Sequence, residues 1–492
     1  MLKVKGIFLL LILSLLFVIF HACGSGSSSG NYNGGGNNNG EVTLSVHWAK
    51  SFSLGGGING DSATSVKPTS DGGYIIAGNG DYDIWVLKLD LKGDIAWQRK
   101  YGGSSWDSAD AIQQTPDGGY IVAGNTISFS SNRDFWLLKL DPNGDIIWQK
   151  TYGESGTESA HFIQQTNDGG YIVTGDREIV PGRGGLDYDF WVLKLDPVGN
   201  IIWQKTYGGA GWESANVIQQ TSNGGYIVAG DSQAFSAGNR DYWVLKLSPD
   251  GDIIWQRKYG GIGDEIAYSL QQTNDDGYII AGLANVSIFG DGGDDDLWIL
   301  KLDPDGNIIW QRKYGDADYE GARSILQTGE SGYIVAGRKR FFINSGYSNN
   351  NYCTYCCGCG GNDAIYDQDL WILKLATNGD ILWEKTYSGG GAEEANDIQQ
   401  TSDGGYIVAG TSYLYYWLGD YSDFFVLRLK SDGTISSSAP SDIGANSYTT
   451  VQDTFAVSEV TTVIPIDTTA IVTDTTITGV NTNATLETWA SD

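Results

Sequence analysis

ADAIQQT (Ala109–Thr115), GGYIVAG (Gly118–Gly124), DFWLLKLD (Asp134–Asp141) and GDIIWQKTYG (Gly144–Gly153) are four short β-type runs, and the set recurs seven times. The Tyr of the GGY, DGY or SGY element stands at Tyr74, Tyr120, Tyr171, Tyr226, Tyr278, Tyr333 and Tyr406, at intervals of 46, 51, 55, 52, 55 and 73 residues. A period near 50 residues holding four strands is the signature of a propeller blade. The runs therefore predict an all-β, seven-bladed β-propeller of four-stranded antiparallel blades. In chain order the strands are A (IQQT type), B (GGYIVAG), C (WVLKL) and D (IIWQKTYG). Asp-Gly-Gly between A and B, and Asp-Pro-Asn-Gly-Asp or a variant between C and D, are turn sequences suited to tight hairpins. Several runs are apolar throughout rather than alternating, as a sheet packed on both faces requires.

The two ends of the repeat array complement each other. Val46–Phe52 (VHWAKSF) reads as a D strand with no A, B or C strand before it. The last repeat has A, B and C strands, ending in Phe424–Leu429 (FFVLRL), but no Trp-containing D strand. The N-terminal strand is thus expected to complete blade 7 and remove the last open sheet edge. Trp85, Trp136, Trp191, Trp243, Trp298 and Trp371 on C strands, with Trp97, Trp148, Trp203, Trp255, Trp310 and Trp383 on D strands, are read as core aromatics filling the wedge between splayed blades.

Outside the array, residues 1–23 read as a lipoprotein signal peptide, with an ordinary signal peptide or an uncleaved anchor as the alternatives. Lys3 and Lys5 precede the apolar Ile7–Phe20, which is short for a membrane span. Phe20-His21-Ala22-Cys23 resembles a bacterial lipobox, making Cys23 the lipidated mature N-terminus, and Gly24 fits sorting to the outer membrane. Residues 24–40 form a Gly/Ser/Asn tether, 41–436 the propeller and 437–492 a Thr/Val/Asp-rich tail. The tail holds no copy of the blade repeat and is expected to be extended and weakly ordered, with Thr461–Ile466 as one stretch able to form a strand. The expected location is the bacterial cell envelope, at the outer membrane or cell surface, with the membrane contacted only through the N-terminal lipid.

The 30 basic and 59 acidic residues give a net charge of −29, which opposes nucleic acid and anionic membrane surfaces and favours cations. Two acidic series recur on the face carrying the B–C loops and D-to-A connections. Asp61, Asp107, Glu158, Glu213, Glu265, Glu320 and Glu393 precede strand A; Asp83, Asp134, Asp189, Asp241, Asp296, Asp369 and Asp423 precede strand C. The first series reads either as a channel-mouth ring attracting cations or as structural acceptors for backbone N–H groups between blades; repetition in every blade favours the latter. Asp291, Asp294, Asp295 and Asp296 form the densest acidic cluster, with Ca²⁺ as its candidate ion, though without EF-hand spacing. No other cofactor is expected.

The B–C loop of blade 6, Arg338–Asp369, carries Cys353, Cys356, Cys357 and Cys359. In an exported chain these are read as disulfides, with zinc or iron–sulfur ligation and free thiols as the alternatives. His161 is read as a core or channel-lining residue rather than a catalytic base, and no nucleophile elbow, phosphate loop or zinc-protease motif occurs. The recurrent strand-C Lys (Lys88, Lys139, Lys194, Lys246, Lys301 and Lys374, Arg428 in blade 7) is read as an inter-strand charge partner.

The D-strand pattern, with Asp141, Gly144, Trp148 and Gly153 as one instance and Asp196, Gly199, Trp203 and Gly208 as another, resembles the tryptophan-docking repeat of quinoprotein-like (PQQ-type) β-propellers. The GGYIVAG element is similar to repeats of many bacterial surface lipoproteins. The resemblance implies a propeller class that includes both PQQ dehydrogenases and non-enzymatic assembly scaffolds. Vicinal Cys356–Cys357 resembles a feature of quinoprotein alcohol dehydrogenases, but it lies in a loop insertion, and those enzymes have eight blades. The favoured expectation is a lipid-anchored binding or scaffolding module, without catalytic residues, that meets a protein or polysaccharide partner through its B–C loop face. The rivals are an enzyme, quinoprotein-like or using carboxylates as a lyase or hydrolase, and a structural or adhesive surface protein. A pocket of non-repeated polar residues on the loop face would favour the enzyme.

Overall fold

The computed structural model describes residues 48–54, 60–129, 131–154, 156–179, 187–233, 240–261, 263–285, 295–315, 319–330, 332–343, 365–387, 392–414 and 421–435, with tail segments 471–474, 480–481 and 485–488. Seven antiparallel sheets follow one another, each in the order A-B-C-D from first strand to last. The A strands are Ser62–Pro68, Asp107–Gln114, Glu158–Gln165, Glu213–Gln220, Glu265–Gln272, Glu320–Gln327 and Ala392–Gln400. The D strands of blades 1 to 6 are Ile95–Gly102, Ile146–Tyr152, Ile201–Gly208, Ile253–Tyr259, Ile308–Tyr314 and Ile381–Tyr387. Blade 7 takes its fourth strand from Trp48–Phe52, paired antiparallel with strand C from Trp48↔Arg428 to Phe52↔Phe424. The predicted fold and its closure are both present.

The core lies between blades. Each of seven buried clusters draws its side chains from two neighbouring blades, and the one joining blades 7 and 1 contains Trp48, Tyr74, Trp85, Ile407 and Phe424. Strand C of blade 2, DFWLLKL, is buried at every position, which explains why its sequence does not alternate. The D-strand aromatics dock onto the next blade: Trp97 Nε1 donates to Pro142 O (3.2 Å) and Tyr101 Oη to Gly144 O (2.6 Å). Trp203 and Tyr207 do the same to Pro249 and Gly251. Trp48 donates likewise to Leu91 O (3.2 Å), so the N-terminal strand docks as a D strand should.

The Gln-Gln-Thr signature is a staple. Gln164 Oε1 accepts from the Gln220 amide of the next blade (2.6 Å), while Gln220 Oε1 accepts from Asn167 in the turn of the preceding one (2.9 Å). Gln219 repeats the first bond to Gln272, and Gln272 the second to Ser222. The strand-C Lys pins its own A–B turn, as expected. Lys139 Nζ sits 2.9 Å from Asp117 and donates to Thr115 Oγ1, and Lys88, Lys194 and Lys301 pair in the same way with Asp71, Asp168 and Asp275. In blade 4 the turn residue is Asn223; Lys246 donates to Thr221 Oγ1 (2.6 Å), makes a 3.5 Å contact to Asn223 and lies 5.7 Å from the Tyr278 ring centroid, and burial lowers its pKa to about 8.

Two departures from expectation concern the long blade-6 loop and the tail. Strands B and C of blade 6 continue to Ile343↔Ile365, so the insertion starts as an extended hairpin. In the tail, Ile471–Asp474, Val480–Asn481 and Thr485–Thr488 add fifth strands outside the D strands of blades 3, 2 and 1. Their β-branched content suits an edge strand, and a D-strand edge offers the unpaired backbone groups they lack alone. Thr461–Ile466 lies outside the described residues, as do Cys23, the tether, and the four loop cysteines Cys353, Cys356, Cys357 and Cys359. Among the described residues no helix is long and apolar enough to cross a membrane.

Candidate functional site

Every A strand breaks register at the same point, directly after an Ala that is its second, third or fourth residue and is present in all seven repeats. The shift falls between Ala63 and Ser65, Ala109 and Ala111, Ala160 and Phe162, Ala215 and Val217, Ala267 and Ser269, Ala322 and Ser324, and Ala395 and Asp397. A β-bulge leaves one residue without a cross-strand mate and re-aims its side chain. The opposing B-strand Gly is obligatory there, since a Cβ on Gly124 would lie 1.8 Å from Ser108 O. The seven bulge residues are Thr64, Asp110, His161, Asn216, Tyr268, Arg323 and Asn396. All line a central cavity of about 320 Å³ walled by the seven A strands.

Three of the seven have a tangential structural job. Thr64 Oγ1 donates to Ala109 O (2.9 Å), Asn216 Nδ2 to Ala267 O (2.8 Å) and Asn396 Nδ2 to Ala63 O (2.8 Å), each latching the following blade. The other four form two neighbouring pairs with different bonds. On blades 2 to 4, His161 Nε2 bonds Asp176 Oδ1, Ser214 Oγ donates to the same oxygen (3.1 Å), and Asn125 Nδ2 donates to Asp110 Oδ2 (2.9 Å). Asp231 stands beside them with Arg240 at 3.8 Å. Facing them, Arg323 covers the Tyr268 ring at 4.3 Å and donates to Glu394 Oε1 (2.6 Å), while Arg338 reaches Glu394 Oε2 (3.3 Å).

Electrostatics sharpen this asymmetry. Burial alone would lower the His161 pKa, but the Asp176 carboxylate, with Asp110 and Asp231 behind it, lifts it to about 9. Burial pushes Asp110 up to about 6, against the pull of His161 and Arg133. It pushes Asp231 to about 7, with Arg240 opposing and Asp176 adding to the shift. Burial would raise Glu394 as well, yet Arg323 and Arg338 hold it below the ordinary carboxylate range. The cavity therefore has an acidic wall holding one imidazolium and, opposite, a guanidinium–carboxylate wall. Both lie toward the start of strand A and the end of strand B, the half nearer the B–C loops. His161 keeps 28% of its side chain exposed to the bore, so water reaches the cluster.

The acidic series does not form the exposed mouth ring of the cation reading. Asp61, Asp107, Glu158, Glu213, Glu265, Glu320 and Glu393 are buried to between 0 and 4% exposure and sit at blade junctions, outside the cavity lining. They accept bonds from the connection before them: Asp61 from Leu54 N (2.8 Å), Asp107 from Gly103 N (2.8 Å), Glu213 from Gly209 N (3.2 Å) and Glu265 from Gly261 N (3.0 Å). Asp107, Glu158, Glu265 and Glu320 each meet the strand-C acid of the preceding blade across a Gly. A Cβ on Gly153 would lie 2.2 Å from Asp134 Oδ1 and 2.8 Å from Glu158 Oε2. Burial and then the Asp134 charge push Glu158 to about 8; burial and then Glu213 push Asp189 to about 7. Of the candidate Ca²⁺ ligands, Asp291 and Asp294 lie outside the described residues. Asp295 and Asp296, adjacent on a strand, diverge: Asp295 accepts from Asn285 Nδ2 (2.8 Å), and Asp296 lies 3.9 Å from Lys313. Among the described residues no three His, Cys, Asp or Glu converge as metal ligands.

Asp110, Asp176, Asp231, Tyr268, Arg323, Arg338 and Glu394 were not singled out from sequence. The signal was available in aligned repeats: the column after the constant Ala reads Thr, Asp, His, Asn, Tyr, Arg, Asn, and the column after the B-strand Gly reads Asn, Asn, Asp, Asp, Leu, Arg, Thr. These are variable columns inside otherwise repetitive strands.

No protein-family model matches the chain, and no curated protein matches it. Among solved structures it is similar to the crystal structure of Sqt1 from Chaetomium thermophilum, with 10% identity over 74% of this chain and 85% of that one and a TM-score of 0.41.

Proposed function

We propose that this propeller is an exported, lipid-anchored binding module that engages a protein or polysaccharide partner through its B–C loop face, with the charged cavity as its point of selectivity. The observation that carries the reading is the bulge column. Seven structurally equivalent positions point into one cavity, and four of them, Asp110, His161, Tyr268 and Arg323, depart from the latch chemistry of the rest. A scaffold serving bulk alone has no use for that difference, because Thr or Asn would close every blade. The opposed acidic and guanidinium walls suit a ligand or inserted partner group carrying both signs, since a misplaced charge there leaves buried groups unpaired. The lipobox Phe20–Cys23 and the tether after it support the export and anchoring part of the reading.

One observation favours an enzyme as the second reading: a His–carboxylate pair stands beside a second carboxyl in a cavity, an arrangement suited to proton transfer. The pKa of His161 weighs against it. An imidazole at about 9 is a cation at neutral pH, a firm electrostatic contact and a poor general base. The D-strand docking bonds account for the quinoprotein-like pattern as blade architecture, so the likeness carries no cofactor chemistry of its own.

The test is capture of envelope components on the purified propeller, wild type against an Asp231→Asn/Arg338→Ala double variant and against a deletion of residues 344–364. Loss of the same partner in the double variant supports selectivity at the cavity. Capture lost only in the loop deletion moves recognition to the blade-6 insertion. Capture unchanged in both refutes the loop-face reading.

A further inference from the structure

Three tail strands sit on three successive blades in one register. Asp474 is opposite Lys205 on blade 3, Asn481 opposite Lys150 on blade 2 and Thr488 opposite Arg99 on blade 1. Lys205, Lys150 and Arg99 are the same D-strand position, the second residue after the docking Trp. The tail therefore steps back around the ring, one blade for every seven residues. Connectors of five residues (475–479) and three residues (482–484) suffice for the two crossings.

The sequence carries that seven-residue step beyond the three strands. Segments 468–474 (TTAIVTD), 475–481 (TTITGVN) and 482–488 (TNATLET) are preceded by 461–467 (TTVIPID), 454–460 (TFAVSEV) and 447–453 (SYTTVQD). Each of the six begins with Thr or Ser, and each has Val, Ile or Thr at its fourth place, where the two longer strands begin pairing. Six segments match six D strands, because blade 7 takes its outer strand from the chain's other end. Running backward from blade 3, the order leads to blades 4, 5 and 6. Among the described residues the sheets of those three blades have four strands and an uncovered D edge. An open, flat edge is a template for strand addition.

We propose that the outer edges of blades 4, 5 and 6 are docking sites for residues 461–467, 454–460 and 447–453 of the same chain, so that the tail is a belt closing over six blades. The expected register places Asp467 opposite Arg257, Val460 opposite Arg312 and Asp453 opposite Lys385. Two of these match a carboxylate to a cation, as does Asp474 opposite Lys205. Pro465 is compatible with this place, since proline is tolerated on edge strands and not on central ones. The belt runs around the rim, so it neither depends on nor affects recognition at the loop face.

Directly opposed strand residues lie about 4.5–5.5 Å apart at Cα, within disulfide range. The test uses the full mature chain with Arg257→Cys/Asp467→Cys, with Lys205→Cys/Asp474→Cys as the observed-register control and Arg257→Cys/Ile466→Cys as a one-residue slip, which should face away. Mass spectrometry of linked peptides should find the first two pairs intramolecularly cross-linked in most molecules and the slipped pair at least about fivefold less. Independently, deleting 437–492 should speed amide exchange in the D strands of blades 1 to 6 by about tenfold or more, with Trp48–Phe52 unchanged. Cross-linking at 205/474 but not at 257/467, or faster exchange confined to blades 1 to 3, overturns the proposal. So does a 257/467 link found only between chains, which would make the tail an exchange device between copies.

Discussion

Replacing Trp48 by Ala tests whether the ring closes as firmly at its seam as within a repeat. Trp48 is 4% exposed, packs edge-on to Tyr74 with centroids 6.1 Å apart, and donates to Leu91 O at 3.2 Å. It joins the cluster of blades 7 and 1 that also holds Trp85, Ile407 and Phe424. Its removal forfeits about 200 Å² of buried aromatic surface, worth about 5 kcal/mol at 25 cal/mol/Å². Partial relaxation brings the expected cost to about 3–5 kcal/mol, the range of large-to-small aromatic deletions. The lost hydrogen bond adds little, because the Leu91 carbonyl lies in an exposed turn where water replaces the indole. Trp203 is the internal standard: it has the same place in blade 3, the same bond to a turn carbonyl (Pro249 O, 3.1 Å) and the same edge-on Tyr at 5.9 Å. Urea denaturation followed by tryptophan fluorescence should give Trp48→Ala a destabilisation within about 1.5 kcal/mol of Trp203→Ala, with unfolding still a single transition. A cost under about 1 kcal/mol for Trp48→Ala beside a large one for Trp203→Ala would mean that the seam frays in solution and that the N-terminal strand does not close the ring.

The histidine of the cavity should titrate far above its ordinary range. The propeller carries only His47 and His161, so proton NMR resolves both, and Asp176→Asn should bring the His161 pKa from about 9 to near or below 7; no change would refute the ion pair as its cause. Stability should fall as pH rises from about 5 to 8. Asp110, Glu158, Asp189, Asp231 and Glu265 have folded pKa values raised to about 6–8, so each binds more protons folded than unfolded, and its contribution, full below about 4, is lost as pH climbs through the folded value. All five act in the same direction, and Glu158→Gln should flatten the slope; a melting temperature constant over this window would contradict the buried pairs. On the acid side, Asp71, Asp168 and Asp403, held near 2, lose their contribution only as pH falls below about 4. Asn223→Asp should give Lys246 the carboxylate that Lys88, Lys139, Lys194 and Lys301 have and stabilise blade 4 by about 0.5–1 kcal/mol, the scale of a half-exposed pair; an unaltered urea midpoint would refute the turn-pinning role of strand-C Lys.

The fold was legible because each of its bonds is repeated in sequence. Trp and Tyr of the D strand, Gln-Gln-Thr of the A strand and Lys of the C strand recur because each blade must solve the same docking problem, and Val46–Phe52 betrays the seam by carrying one solution without its blade. The acidic series was legible as a pattern but ambiguous in role. A carboxylate ring at a channel mouth and a set of buried carboxylates between blades give the same spacing, and only depth separates them. Asp107, 1% exposed and satisfied by Gly103 N, Thr126 and Ser128, belongs to the second kind. The cavity was hidden for the opposite reason. A bulge adds a residue without altering the apolar rhythm on either side of it, so the seven residues that meet at the axis occupy a single column and look like tolerated variation.

That contrast bears on where specificity can reside in a propeller of near-identical repeats. A position that closes a blade is held to Thr or Asn, because the next blade's Ala carbonyl must be met, as Thr64, Asn216 and Asn396 meet it. Asp110 has no proton to donate when ionised, and His161, Tyr268 and Arg323 reach past the carbonyl to other partners. At four of seven junctions the chain thus forgoes a latch worth about 1 kcal/mol. It obtains instead a buried network whose members shift each other's protonation, with His161 charged by Asp176 and Glu394 held ionised by two guanidiniums. Buried ionic groups cost more in desolvation than a neutral latch would. Their concentration at the one place where all seven blades meet is therefore better accounted for by recognition than by stability. If the proposed binding role holds, Asp110→Asn with His161→Asn leaves the propeller folded and at least as stable at pH 7.5, while abolishing any capture that the wild type shows. A double variant that binds normally would return these residues to the architecture.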